Sequence, residues 1–268
     1  MCELFAMSSR LPATVQRSFA ELARHGGEAG PHKDGWGLAY YEGQAVRLSR
    51  EARPAATSRN LRALQDNPFS ATTVISHIRR ATQGGNTLDN CQPFVRELGG
   101  RVHVFAHNGD LVGIAGRRDL STGGYRPVGD TDSERAFCAL LERMRGPWQQ
   151  AGGLPPLEQR LHVIEEFAAV LRELGPANFV YADGDAVFVH SHRRNQGAGL
   201  GIRPPGLHLL CRRCAGDPGS TQEVVLIASV PLSDEAWQPL EEGEIVVLAA
   251  GQRVAGSRSD GRPAPRSP

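Results

Sequence analysis

The chain opens Met1-Cys2. A small residue at position 2 permits removal of the initiator methionine, which would leave Cys2 carrying a thiol and an α-amine on one residue. An α-amine has an ordinary pKa near ~8, so a useful fraction is neutral at cellular pH and can accept the thiol proton. General-base help of this kind is typically worth ~10²–10⁴ in rate. Taken alone, the pair reads more readily as the accident of a buried strand start.

Three later segments carry polar chemistry. Ser76-His77-Ile78-Arg79-Arg80-Ala81-Thr82 places polar residues directly after a β-like run. Arg79 at a strand's end suits a bidentate grip on a carboxylate; taken by itself it reads more readily as one of a surface arginine pair. His77 reads as a packed scaffold residue rather than a base. His107-Asn108-Gly109-Asp110 sets a side-chain amide beside a glycine N–H, a pair of oxyanion donors. Asn-Gly is also the strongest short hairpin signal, so the segment alone is a turn. Gly129-Asp130-Thr131-Asp132-Ser133-Glu134 leads into a helix, where such residues cap and complement the helix dipole. The functional alternative is that one carboxylate receives the α-ammonium of an amino-acid substrate.

In order, Met-Cys, His-x-Arg-x-Ala-Thr, Asn-x-Gln-Pro-Phe, His-Asn-Gly-x-Leu and Asp-Thr-Asp-Ser-Glu resemble the glutaminase domain of class II glutamine amidotransferases. The resemblance covers residues 2 to about 140 by motif. It implies an α+β fold, the four-layer αββα sandwich of N-terminal-nucleophile hydrolases. It also implies roles: Cys2 as nucleophile, Asn108 and Gly109 as oxyanion hole, Arg79 and Thr82 on the α-carboxylate, Asp132 on the α-ammonium. The substrate would be glutamine or a γ-glutamyl compound, cleaved through a γ-glutamyl thioester, with no metal, nucleotide or organic cofactor needed. Cys91, inside Asn90-Cys91-Gln92-Pro93-Phe94, falls in a structural segment near the site.

Asp34-Gly35-Trp36-Gly37 departs from the large biosynthetic members and looks like the small, single-domain branch, some of which cleave γ-glutamyl amides. Trp36 is either a core residue or part of such a pocket. The length leaves no second domain to use the ammonia. Either a partner protein supplies the acceptor site, or the products are simply glutamate and an amine. Two other readings stand beside this one. A papain-like thiol hydrolase would need Cys91 or Cys138 in a nucleophile segment that neither occupies. A glutamine-binding or partner-gated regulatory module would lack free-standing activity.

The elements that must position these residues alternate short β-like runs with longer helical ones. Strands are expected at 2–7, 35–41, 45–48, 72–78, 101–106, 178–182, 186–190, 207–211, 224–229 and 244–249. Helices are expected at 15–24, at 57–65 capped by Thr57 or Ser58, at 132–145 and at 157–174. One domain over 2–250 follows, with a disordered Gly-, Ser-, Arg- and Pro-rich tail over 251–268.

Composition narrows the class. Thirty basic and twenty-nine acidic side chains leave a formal charge of +1, without the basic run expected of a nucleic-acid or membrane surface. No stretch approaches the ~20 apolar residues of a membrane span, and Met1–Arg10 lacks the pattern of a signal peptide. A cytoplasmic setting follows, in which the five cysteines stay reduced. Cys211-Arg212-Arg213-Cys214 alone has metal or redox spacing, and without a second pair it reads as two reduced thiols at a strand end.

Overall fold

The computed structural model describes residues 2–197, 199–215 and 221–258. The chain runs β1 (Glu3–Ala13), α1 (Gln16–His25), β2 (Trp36–Glu42), β3 (Ala45–Glu51), α2 (Arg59–Asp66), β4 (Ala71–Ile78), β5 (Phe94–Leu98) and β6 (Arg101–Gly109). It continues with α3 (Asp132–Ala151), α4 (Leu157–Leu174), β7 (Ala177–Ala182), β8 (Val187–His190), β9 (Arg194–Asn195) and β10 (Ile202–Arg203). The last strands are β11 (His208–Ala215), β12 (Thr221–Ala228), β13 (Gln238–Pro239), β14 (Ile245–Ala249) and β15 (Gln252–Ser257).

Side chains alternate across a strand, and in the central strands both faces are apolar. In β1, Leu4 and Ala6 enter one core while Phe5 and Met7 enter another. In β6, Val104 and Ala106 share the core of Leu4, and Phe105 faces away. A strand with no polar face must be covered on both sides, which two stacked sheets with helices outside achieve. The first sheet is antiparallel in the order β13-β11-β12-β1-β4-β2-β3, and the second in the order β15-β14-β8-β7-β6-β5. One core lies between the sheets, one under α1 against the first sheet, and one under α3 and α4 against the second. Three cores between four layers make the αββα sandwich.

Several boundaries differ from the sequence-based expectation. The 57–65 helix starts at Arg59 after Ser58, whose Oγ accepts from the Leu61 N–H at 3.0 Å. α3 extends beyond 145 through Pro147 to Ala151. β6 runs to Gly109, so Asn108-Gly109 is strand and not turn: β7 pairs with it, Asn178 opposite Asn108 and Ala177 opposite Gly109. A register partner outweighs the local turn preference. The proposed tail is ordered at its start, because Gln252–Ser257 pairs with β14; residues 259–268 lie outside the described residues. No described helix is long and apolar enough to cross a membrane.

Candidate active site

The first sheet brings Cys2 and Arg79 to the same end from neighbouring strands. Glu3 of β1 pairs with Ile78 of β4, so Cys2 precedes one strand where Arg79 follows the other. The Cys2 sulfur accepts from the Arg80 N–H at 3.3 Å and donates to the Arg80 carbonyl at 3.4 Å. The second sheet contributes His107 and Gly109, the segment before β5 contributes Gln92, and the cap and start of α3 contribute Thr131, Asp132 and Ser133. With Arg79, Thr82 and Gln83 these groups line one small cleft around Cys2, partly open to solvent.

Arg79 is 3 % exposed. Its Nη2 donates to the carbonyls of Gln83 at 2.9 Å and Gly84 at 3.2 Å, while Nη1 is buried without a hydrogen-bond partner. A buried charge left without its counter-ion is costly, and a guanidinium fork matches a carboxylate in shape and charge.

Asp132 opens α3 but does not cap it. Thr131 does, its Oγ1 accepting from the Glu134 N–H at 3.2 Å. Asp132 Oδ1 accepts from the Ser133 N–H at 2.8 Å, and Oδ2 accepts from the Leu111 N–H at 2.7 Å. These bonds orient the carboxylate and leave lone pairs for a further donor. Thr82 lies in the exposed stretch 81–89, tied down by the Ala81 N–H on Asp34 Oδ2 at 2.8 Å. Across the cleft mouth the Gln83 side-chain amide donates to Asp110 Oδ1.

Gly109 is required by space. A Cβ there would stand 1.7 Å from the Pro176 carbonyl oxygen, so any other residue would push β7 away from the cleft. Asn108 differs from the other candidates in that it does not line the cleft. Its Nδ2 donates to Ser229 Oγ at 3.2 Å, and its Oδ1 is buried without a partner.

Burial pushes the Cys2 thiol pKa up, and the Asp132 charge adds to this; the Arg80 N–H and the Arg79 charge pull it down. The net shift is upward, so the thiol needs a base to become a nucleophile. Neither nearby histidine is suited to that task. His77 is fully buried with no hydrogen bond at either ring nitrogen, and desolvation lowers its pKa to about 3. His107 is lowered as well, chiefly by burial, and its Nδ1 is engaged with Ser133 Oγ at 2.9 Å.

The Asn-x-Gln-Pro-Phe motif supplies supporting residues whose individual bonds the sequence did not give. Gln92 Oε1 accepts from the His107 N–H at 2.6 Å, fixing β6 against the preceding segment. Asn90 bridges the Gly85 carbonyl at 3.0 Å and the Asp130 N–H at 2.8 Å, joining the loop after β4 to the entry of α3. Cys91 is buried with its thiol on the Thr87 and Glu51 carbonyls, away from the cleft, as expected of a structural residue. Trp36 is a core residue, its Nε1 donating to Glu51 Oε2 at 3.1 Å, and it does not line the Cys2 cleft. Cys211 and Cys214 stand three apart on β11 and so face opposite sides of the sheet. Among the described residues no cluster of His, Cys, Asp and Glu is suited to a metal.

Against known proteins, residues 1–266 match the family model for class II glutamine amidotransferases. The YafJ protein of Escherichia coli K12 is 36% identical over 263 residues, which are 95% of this chain and 100% of that one. A Haemophilus influenzae Rd relative is 31% identical over 272 residues, covering 95% of this chain and 86% of its own. Among solved structures, a predicted glutamine amidotransferase from Pseudomonas aeruginosa PA01 superposes with a TM-score of 0.68 at 33% identity, covering 95% of this chain and 100% of that one. The phosphoribosylpyrophosphate amidotransferase of Bacillus subtilis shares the fold at 17% identity and a TM-score of 0.59, over 92% of this chain and 47% of its own.

Proposed function

The chain belongs to the class II glutamine amidotransferases, and on that premise we propose that it hydrolyses the γ-amide of glutamine or of a γ-glutamyl compound with Cys2 as nucleophile. The observation that carries this reading is the cleft itself. A thiol, a buried guanidinium with an unpaired Nη1 and an oriented carboxylate line one small space. Their charges match the two ends of a free amino acid, and the thiol is left for its side chain.

In this reading Arg79, with Thr82, holds the α-carboxylate, and Asp132 accepts from the α-ammonium. With Met1 removed, the α-amine of Cys2 takes the thiol proton that burial otherwise retains. The sulfur attacks the γ-carbonyl carbon, and the Gly109 N–H and the Asn108 amide stabilise the oxyanion. The C–N bond then breaks, the leaving amine departs with the proton, and a γ-glutamyl thioester remains on Cys2. Water hydrolyses it to glutamate and regenerates the thiol. The ammonia or amine is either released or taken up by a partner protein.

The test is glutamate release from glutamine, glutathione and several γ-glutamyl amines, with Cys2→Ala as the blank and mass spectrometry to establish that the chain starts at Cys2. Release by the native chain and none by a folded Cys2→Ala variant is the expected result. Equal release by both would sink the nucleophile assignment. No release from any donor by a chain that does begin at Cys2 would favour a glutamine-binding module instead.

A further inference from the structure

We propose that Ser229 is the positioning residue that aims the Asn108 amide at the reacting carbonyl. The inference rests on the function proposed above and concerns a residue outside every motif of the chain. Ser229 follows β12 and is 0 % exposed. Its N–H donates to the Leu4 carbonyl at 3.0 Å, and its Oγ accepts from the Leu4 N–H at 2.9 Å. The same Oγ meets the Asn108 Nδ2 at 3.2 Å. One hydroxyl thus joins the strand that carries the nucleophile to the candidate oxyanion donor on the other sheet. Alternation turns both toward the inter-sheet layer: Leu4, and hence Cys2, on β1, and Val104, Ala106 and Asn108 on β6.

As observed, this contact works against an oxyanion hole. One N–H of the Asn108 amide is given to Ser229, and the buried atom left without a partner is Oδ1, an acceptor that would repel an oxyanion. The two ends of an amide are nearly identical in shape, and hydrogen bonding decides between them. Turning the amide over lets the Ser229 O–H donate to Oδ1, while Oγ still accepts from Leu4. Nδ2 then takes the place of the unpartnered oxygen. Both orientations make the same number of bonds to Ser229, so the exchange costs little. Only the second puts a donor where the unpartnered Oδ1 stands, and developing charge on the γ-carbonyl oxygen favours it further. A hydroxyl alone serves both states, because it donates and accepts with one atom.

The experiment is a double-mutant cycle on glutamate release, with Ser229→Ala and Ser229→Thr made in the native and Asn108→Ala backgrounds. Ser229→Ala is expected to lower kcat by ~10-fold or more with KM nearly unchanged, since the oxyanion contact is a transition-state one. Ser229→Thr, which keeps the hydroxyl, is expected to restore most of it. In the Asn108→Ala background, Ser229→Ala should change kcat by less than ~2-fold, because its effect passes through the missing amide. An unchanged or raised kcat in Ser229→Ala would overturn the proposal, the latter by showing that the observed contact restrains Asn108. So would an equal loss in both backgrounds, which would make Ser229 only a support for Leu4. If Ser229→Ala does not fold, Ser229→Cys enters the same cycle. A native chain that releases no glutamate would instead overturn the function itself, and the role of Ser229 with it.

Discussion

Arg79 and Arg160 are buried to nearly the same extent, 3 % and 2 % exposed, and yet their surroundings are opposite. Arg160 on α4 has a carboxylate for each terminal nitrogen, Asp183 at 2.6 Å and Asp185 at 2.7 Å, and it stacks over Phe188 at 5.8 Å. Asp183 is itself satisfied by the N–H groups of Asp185 and Ala186 at 3.0 Å each. This cluster pins α4 to the β7–β8 turn. Arg79 meets only two loop carbonyls, and its Nη1 has no partner. The same side chain at the same depth is a clamp where the protein supplies the anion. Where it supplies none, as at Arg79, the free nitrogen is what the proposed grip on a substrate carboxylate would use.

Removing the clamp is the largest effect expected. Arg160→Ala leaves Asp183 buried and unpaired, which should cost about 3–5 kcal/mol of stability, read from the denaturant midpoint, with KM unchanged in the folded fraction. Arg79→Ala should do the reverse. KM for a γ-glutamyl donor should rise by ~10²-fold, because the grip on the carboxylate exists before reaction as well as during it. Stability should fall by only about 1 kcal/mol, for two bonds to loop carbonyls. If Arg79→Ala leaves KM alone and unfolds the protein like Arg160→Ala, the contrast disappears and Arg79 is scaffold.

The contrast also explains what was legible in the sequence. Leu157–Leu174 was readable as a helix to the residue because Pro155-Pro156 and Gly175 bracket an amphipathic run. Arg79 and Cys2 stood out as candidates by their places, one directly after a β-like run and one at the chain start, but only the order of the motifs pointed to roles for them. β5 was not, since Phe94–Leu98 mixes apolar and charged residues and is defined by its pairing with β6. β15 was hidden by composition, its Gly and Arg residues resembling the tail that follows. The Asn-Gly pair misled for the same reason, because the register with β7 is a long-range fact. Ser229 was invisible: it lies 121 residues from Asn108, and no local pattern links a serine after one strand to an amide on another sheet.

The histidines repeat the contrast with smaller effects and opposite signs. His25 has a carboxylate partner, Glu3 Oε2 at 2.8 Å, and this bond raises its pKa above 6.5. The stabilisation is fully present below pH 6.5 and is lost as pH rises through the raised value. His77 has no carboxylate partner, and burial lowers its pKa to about 3. It folds neutral, so its contribution is present above pH 6.5 and is lost as pH falls from there toward 3. Each single group can tilt stability by at most about 1.4 kcal/mol per pH unit within its window. His25→Gln should therefore flatten the decline of the denaturation midpoint above pH 6.5, and His77→Gln the decline below it. If both variants flatten the same side, then the two rings do not differ in the way their surroundings require. His77 would in that case have an anionic neighbour when protonated, and the Cys2 end of the sandwich would hold less unpaired positive charge than Arg79 indicates.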